Sequence, residues 1–228
     1  MQGIAIRRRS LLRLSGVGVA GAAVAAASGG CAADSGPQPT ASTAPGRSTA
    51  LGGRPAVLVA YFSRAGWNYH NGGRRFLRTG NTQRLADMIG ELIGCDVHRI
   101  EAADPYSDDY DETVARNVRE QNADARPAIA NPLPSVDRYT TVLLASGIWN
   151  VRAPMIMSTF AEGYDFTGKT VHPITTYAMS GLGTTERDYA ASCRGATVAT
   201  GLAVRGEEVD AAGPTVQTWL KQNNLISS

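Results

Sequence analysis

A chain of 228 residues with 43% hydrophobic side chains is long enough for one α/β domain with a real core and short segments beside it. Of its 22 basic residues, Arg7, Arg8, Arg9 and Arg13 precede every one of the 20 acids, so the chain beyond Cys31 carries 18 basic against 20 acidic side chains. A body so close to neutrality excludes the basic footprint of a nucleic-acid binder.

Residues 1–31 read as an address, to be kept out of fold reasoning. The basic start leads into an apolar run over 14–27, which as a helix spans roughly 21 Å. That is shorter than the about 20 residues a bilayer core requires. Arg8-Arg9-Ser10-Leu11-Leu12-Arg13 resembles the twin-arginine export motif. Ser28-Gly29-Gly30-Cys31 resembles a bacterial lipobox, with Ser28 where an aliphatic residue is usual. The resemblance implies cleavage before Cys31 and lipid on its sulfur, which would anchor the protein to the outer face of the cytoplasmic membrane through two or three acyl chains. An ordinary signal peptide with a chance cysteine is the alternative. Residues 32–54 are rich in Ser, Thr, Pro, Gly and Ala and read as a flexible tether. The folded domain then spans 55–228.

From residue 56 strands and helices alternate. The run 56–62 is short, continuous and apolar, as a strand buried on both faces should be. Residues 82–93 form an amphipathic helix with Leu85, Met88, Ile89, Leu92 and Ile93 on one stripe, stopped at Gly94. Residues 95–100 make a weaker strand, and 109–122 a polar helix with Val114 and Val118 on one side. Residues 141–145 are a strong strand, and a helix over 154–161 opens on Pro154. Residues 170–176 form a fourth strand, in which Pro173 demands a bulge, and 196–203 a fifth. A last helix opens near Pro214 and carries Val216, Trp219 and Leu220. Five strands alternating with helices imply a doubly wound parallel sheet in the order 2-1-3-4-5. Cys95 and Cys193 then fall near opposite edges, beyond disulfide reach, and are expected as free thiols.

In such a sheet, ligands bind outside the carboxyl ends of the strands at the switch in strand order. The loops after strands one, three and four are therefore the place to search. The first holds Ser63 and, at a helix N-terminus, Thr79-Gly80-Asn81-Thr82. This set suits an anion, although Ser, Thr and Asn also cap helices without a ligand. The second holds Ile148, Trp149, Asn150, Val151 and Arg152, where an indole can stack on a flat ring or fold back onto the core. The third runs over 177–184, with Tyr177 as a second aromatic wall and Ser180, Gly181 and Gly183 bringing backbone close to a ligand.

Together these stretches resemble the flavodoxin family over about residues 56–206. Val59-Ala60-Tyr61-Phe62-Ser63-Arg64, Thr79-Gly80-Asn81-Thr82, Asp109-Tyr110-Asp111-Glu112, Trp149 with Ala153-Pro154-Met155, 164–170 and Ser180-Gly181-Leu182-Gly183 fall where that family has similar strings. The resemblance implies FMN as cofactor. Ser63, Thr79, Gly80, Asn81 and Thr82 would hold its phosphate. Trp149, with the backbone of Ile148, Asn150 and Val151, would flank the ring, and Tyr177, Ser180, Gly181 and Gly183 would close the other side. Residues 64–78 are an insertion relative to short flavodoxins, read as a flap beside the flavin, with His70 a candidate proton donor. Asn150 and Val151 stand where many carriers have a glycine, and Arg152 is expected to aim its charge at the ring.

The function implied is electron transfer through FMN at the outer face of the membrane, with a quinone or an unidentified redox protein as partner and no nucleic acid. No acid–base pair or metal cluster is visible. An NAD(P)H-dependent flavin or quinone reductase, and a cofactor-free binding module on the same scaffold, are the alternatives.

Overall fold

The computed structural model describes residues 56–227. The address over 1–31, Cys31 and the tether over 32–54 lie outside the described residues. In chain order the elements are β1 (Val57–Tyr61), β2 (Gly66–His70), β3 (Gly73–Leu77), α1 (Asn81–Ile93), β4 (Asp96–Arg99), α2 (Tyr110–Asn122), β5 (Thr141–Gly147), α3 (Met155–Glu162), β6 (Thr170–Tyr177), α4 (Thr185–Ser192), β7 (Thr197–Val198), β8 (Leu202–Arg205), a 3₁₀ turn (Gly206–Ala211) and α5 (Gly213–Gln222). The main sheet is parallel in the order β4-β1-β5-β6-β7, with β8 also pairing β6. Leaving aside the separate β2–β3 hairpin, this is the doubly wound order expected from the sequence.

All five residues of β1 are buried, and their alternation divides the core. Val57, Val59 and Tyr61 pack with Leu85 and Ile89 of α1 and Val216 and Trp219 of α5. Leu58, Ala60 and Phe62 pack on the opposite face with Ile156 and Phe160 of α3 and Tyr189 of α4. A strand with apolar neighbours above and below cannot alternate polar and apolar residues, which is why 56–62 reads as a continuous run.

Pro173 sits in an unbroken strand: the β5–β6 register runs without a slip from Thr141↔Thr170 to Gly147↔Thr176. The bulge expected there lies in the neighbouring edge instead. Thr170 and Val171 pair with Thr197 and Val198, and Ile174 pairs with Leu202. Residues 172 and 173 therefore face three residues, 199–201, and the fifth strand is split into β7 and β8. The Thr170 N–H bonds toward β5, whereas the Val171 carbonyl accepts from Ala199. By alternation, the donor that proline lacks would have pointed into this gap, where no ladder bond is lost. His172 Nδ1 takes the Thr200 carbonyl oxygen at 2.9 Å.

Helix α2 buries its polar side and turns the two valines outward. Val114 and Val118 are 43% and 47% exposed, while Thr113, Asn117 and Glu120 are buried. The buried polar groups are satisfied. Thr113 Oγ1 donates to the Ser107 carbonyl at 2.9 Å, Asn117 Oδ1 accepts from Gln121 at 3.1 Å, and Glu120 accepts from the Tyr106 hydroxyl at 2.8 Å and Arg116 Nε at 2.6 Å. Asp109 caps the helix by accepting the Glu112 N–H at 2.9 Å.

Cys95 and Cys193 are free thiols in the two opposite core layers. Burial pushes the Cys95 thiol up to about 11 and the Cys193 thiol up to about 12, so both are protonated and unreactive at neutral pH.

Core and α2 positions should respond differently to truncation. In urea unfolding, Ile89→Ala, at a fully buried site, is expected to cost about 2–5 kcal/mol. Val118→Ala is expected to stay within about 0.5 kcal/mol of the parent.

Candidate functional site

At the carboxyl ends of β1, β5 and β6 the chain parts and leaves a cavity of about 650 Å³, within the usual range for small-molecule sites. Its first wall is the start of α1. Ser63, Asn81 and Thr82 line it. The Ser63 hydroxyl accepts the Gln83 N–H at 3.1 Å, and the Arg84 N–H returns to the Gly80 carbonyl. Gly80 is buried behind this turn. A Cβ there would collide with Ser63 Oγ and lie 2.5 Å from the Arg64 carbonyl oxygen. Thr79 is exposed, and neither it nor Gly80 lines the cavity. The Thr82 hydroxyl is engaged elsewhere, 2.7 Å from Thr176 Oγ1 in a buried pair, so at this residue only the backbone faces a ligand.

The first turn of α1 contains no acid, whereas α2 begins with Asp111 and Glu112 and α4 with Glu186 and Asp188. Its partial positive charge is thus not offset by an acid of its own first turn, at a helix end whose first N–H groups lack intrahelical partners.

The second wall is the loop after β5. Ile148, Trp149, Asn150 and Val151 line the cavity. Trp149 is half-buried and rests edge-on against Phe62 and Tyr106, at ring centroid distances of 5.7 and 5.1 Å. The indole is therefore braced by the core and still presents a surface to the cavity. Its backbone closes a tight turn, with the Trp149 N–H on the Arg152 carbonyl at 2.9 Å and Gln121 Nε2 on the Trp149 carbonyl at 3.1 Å. Asn150 adopts φ +67°, a conformation open to glycine and tolerated by asparagine. The backbone geometry that glycine favours is present here without the glycine. Arg152 does not line the cavity; its Nε lies 3.5 Å from Asp188 Oδ2, so its charge is offset outside the site.

The third wall is the loop after β6, where Tyr177 and Ser180 line the cavity and Gly181 and Gly183 do not. Of the two glycines, Gly183 docks this loop on the previous one, while Gly181 ties it back to β6. Gly183, at φ +56°, leaves no room for a Cβ beside the Val151 carbonyl, which accepts the Thr184 N–H at 2.9 Å. The Gly181 carbonyl takes the Thr175 hydroxyl at 2.9 Å.

Residues 66–77 form the β2–β3 hairpin, closed by Asn71 and Gly72 at φ +47° and +83°, the two-residue turn that Asn-Gly favours. Asn68 and Tyr69 line the cavity, so the hairpin lies beside it. It is tied down along its length. Trp67 N–H donates to the Asp108 carbonyl at 2.8 Å, and Arg64 spends its guanidinium on the carbonyls of Ser107, Asp108 and Trp67. Arg74 makes a two-pronged pair with Asp111 at 2.8 and 2.6 Å and lies 4.5 Å over the Tyr110 ring. His70 does not line the cavity; its Nε2 faces the Asn71 amide at 3.5 Å, which removes the basis for a proton donor.

Sequence reasoning missed two contributors. Tyr110, Val114 and Val118 of α2 form a wall, and Gly206 and Glu207 of the 3₁₀ turn complete the lining. The shared side of Val114 and Val118 is legible in the sequence, but its position at the cavity is not; nothing local marks Glu207.

The family model described as flavodoxin matches residues 56–223. A candidate flavoprotein from Bacteroides uniformis is 29% identical, with a TM-score of 0.60, and the match covers 73% of this chain and 98% of that one. One from Bacteroides eggerthii is 27% identical, with a TM-score of 0.58 over 74% and 97%. A flavoprotein from Lactobacillus acidophilus in complex with FMN shares the fold at 16% identity, with a TM-score of 0.51 over 69% and 97%. No curated protein matches the chain.

Two glycine replacements separate crowding from indifference. Gly183→Ala combines a positive φ with a blocked Cβ and is expected to lower stability by more than about 1 kcal/mol in denaturant titration. Gly213→Ala, where a Cβ meets nothing, should leave stability unchanged or raise it by up to about 1 kcal/mol.

Proposed function

This chain belongs to the flavodoxin family, and from that premise we propose that it binds FMN at the carboxyl ends of β1, β5 and β6 and moves electrons through it. The observation that carries the reading is the N-terminus of α1. It opens into a 650 Å³ cavity with no acid in its first turn, held tightly by Ser63 and Gly80. A helix end of this kind suits a phosphate. A braced indole on the β5 loop and Tyr177 on the β6 loop suit a flat ring. The FMN complex of the Lactobacillus acidophilus protein, on the same fold, supports the same cofactor.

Ser63, Asn81 and the backbone of 81–82 hold the phosphate in this reading, with Gly80 allowing the close turn behind them. Trp149, with the backbone of Ile148, Asn150 and Val151, flanks the ring from one side. Tyr177 and Ser180 close the other, while Gly183 sets the spacing of the two loops and Gly181 holds the turn onto β6. When bound, FMN supplies electron transfer, and the protein binds it, orients it and shields it from water.

The choice of electron partner rests on charge. Among the described residues, Arg64 and Glu207 are the only charged side chains lining the cavity, and the Arg64 guanidinium is consumed by three carbonyls. No free cation among them awaits the phosphates of a pyridine nucleotide. A quinone or a redox protein is the proposed partner, with NAD(P)H as the alternative. The signals over 8–13 and 28–31 support export and a lipid anchor on Cys31, which would hold the domain at the outer face of the cytoplasmic membrane. Incorporation of labelled fatty acid, lost in Cys31→Ser, is the expected result.

Titration of the apoprotein with FMN should quench flavin fluorescence at micromolar concentration, and FMN should bind at least about tenfold more tightly than riboflavin, the worth of about 1.4 kcal/mol from charge-assisted hydrogen bonds to the phosphate. Equal affinity for the two ligands would remove the phosphate role from α1. Absence of quenching by either would leave a cofactor-free module.

A further inference from the structure

Glu207 is the second residue of the 3₁₀ turn that comes after β8. The turn is pressed against the start of α1. A Cβ on Gly206 would run into the Asn81 amide and come within 3.8 Å of the Tyr177 carbonyl oxygen, and Asp210 pairs with Arg84. Glu207 lines the cavity one residue beyond a backbone that touches both Asn81, at the phosphate end, and Tyr177, at the ring end. It therefore stands beside the middle of whatever spans the two.

Its carboxylate is divided. Oε1 accepts the Asn71 N–H from the tip of the hairpin at 3.0 Å. Oε2 has almost no accessible surface in this conformation and no well-formed hydrogen-bond partner among the described residues; the residue as a whole is half-buried and lines the cavity, so a small turn of its side chain brings Oε2 to a ligand there. Burial pushes the carboxyl up, but the N–H groups of Asn71 and of Glu207 itself, with Arg205 and His70 nearby, bring it below the usual carboxylate range. The group is thus ionised and purely an acceptor. A buried acceptor left without a donor costs about 1–3 kcal/mol, more when charged, and native proteins retain few of them.

A phosphate cannot supply the missing donor, being an anion itself. A hydroxyl can. We propose that Glu207 is a binding residue for the sugar-alcohol chain between the phosphate and the ring of FMN: Oε2 accepts a hydrogen bond from one of its hydroxyls while Oε1 holds Asn71. A single carboxylate then ties the ligand to the β2–β3 hairpin. The inference rests on the FMN reading and goes beyond it, because it assigns the linker of the ligand to a residue outside the three loops.

The test compares three flavins by fluorescence quenching with the full chain: FMN, riboflavin, which has the polyol but no phosphate, and lumiflavin, which has neither. Glu207→Ala should weaken FMN and riboflavin alike, by about tenfold or more, the loss of a hydrogen bond to a charged group, and leave lumiflavin unchanged. Glu207→Gln keeps an acceptor for Asn71 while removing the charge, and should show the same pattern at smaller amplitude. Arg74→Ala loosens the other anchor of the hairpin and should not separate riboflavin from lumiflavin. Equal weakening of all three ligands by the Glu207 variants would mean that the residue acts only by holding the hairpin, and would overturn the proposal. Unchanged affinities, or tighter FMN, would overturn it as well. If the parent protein binds none of the flavins, the FMN reading itself fails.

Discussion

Strand β1 has neighbours on all four sides, and the site is a consequence of that. It is paired in parallel with β4 on one edge and β5 on the other, with α1 above and α3 below. Chain continuing from β1 turns to one side of the sheet and chain continuing from β5 to the other. Between the two departures no backbone fills the sheet edge. The last bond of the pair, Phe62 N–H to the Ala145 carbonyl at 2.9 Å, marks where the crevice begins. The crevice thus arises from winding order, and its floor is as rigid as the core beneath it.

Onto that floor the chain builds walls by unlike means. The loops after β5 and β6 are fastened to each other through backbone, with Gly183 against Val151. The hairpin is fastened by side chains and by its edge, to Asp108, Asp111 and Glu207. Its ion pair with Asp111 is exposed on both partners, so solvent and salt screen it and it contributes little. The hairpin is accordingly the wall held by the weakest ties, and in the proposed reading the one that a bound ligand would steady.

Helix α2 shows how a wall can override a pattern. Two valines four residues apart on a polar helix signal a buried stripe. Here Tyr106, Arg116 and Glu120 form a satisfied polar cluster beneath the helix, with the Arg116 guanidinium 3.9 Å over the Tyr106 ring, and Tyr106 in turn braces Trp149. Burying that cluster sends the valines outward to the cavity. The cost of an apolar surface is small for two half-exposed valines, whereas an unpaired Glu120 in the core would be far more expensive.

The sequence by itself determined the main-sheet strands and their order, because the runs 56–62 and 141–145 are continuous and strongly apolar, as only a sheet covered on both faces accommodates, and because strands and helices alternate along the chain. It also pointed to the three loops, since winding order dictates where a ligand can enter, and to free cysteines near opposite edges of the sheet. Contacts between residues far apart in the chain were decided only by tertiary structure. The bulge required by Pro173 moved to the adjacent strand, because the absent donor points at that neighbour. Arg152 turned to Asp188 and His70 away from the cavity, since a charged side chain takes the partner that the fold brings near. Glu207, over 120 residues from Asn81 and Asn71, joined the lining because β8 pairs with β6 and delivers the turn against α1; hydrophobic periodicity, which reports only which face of an element is buried, carries no trace of such a meeting.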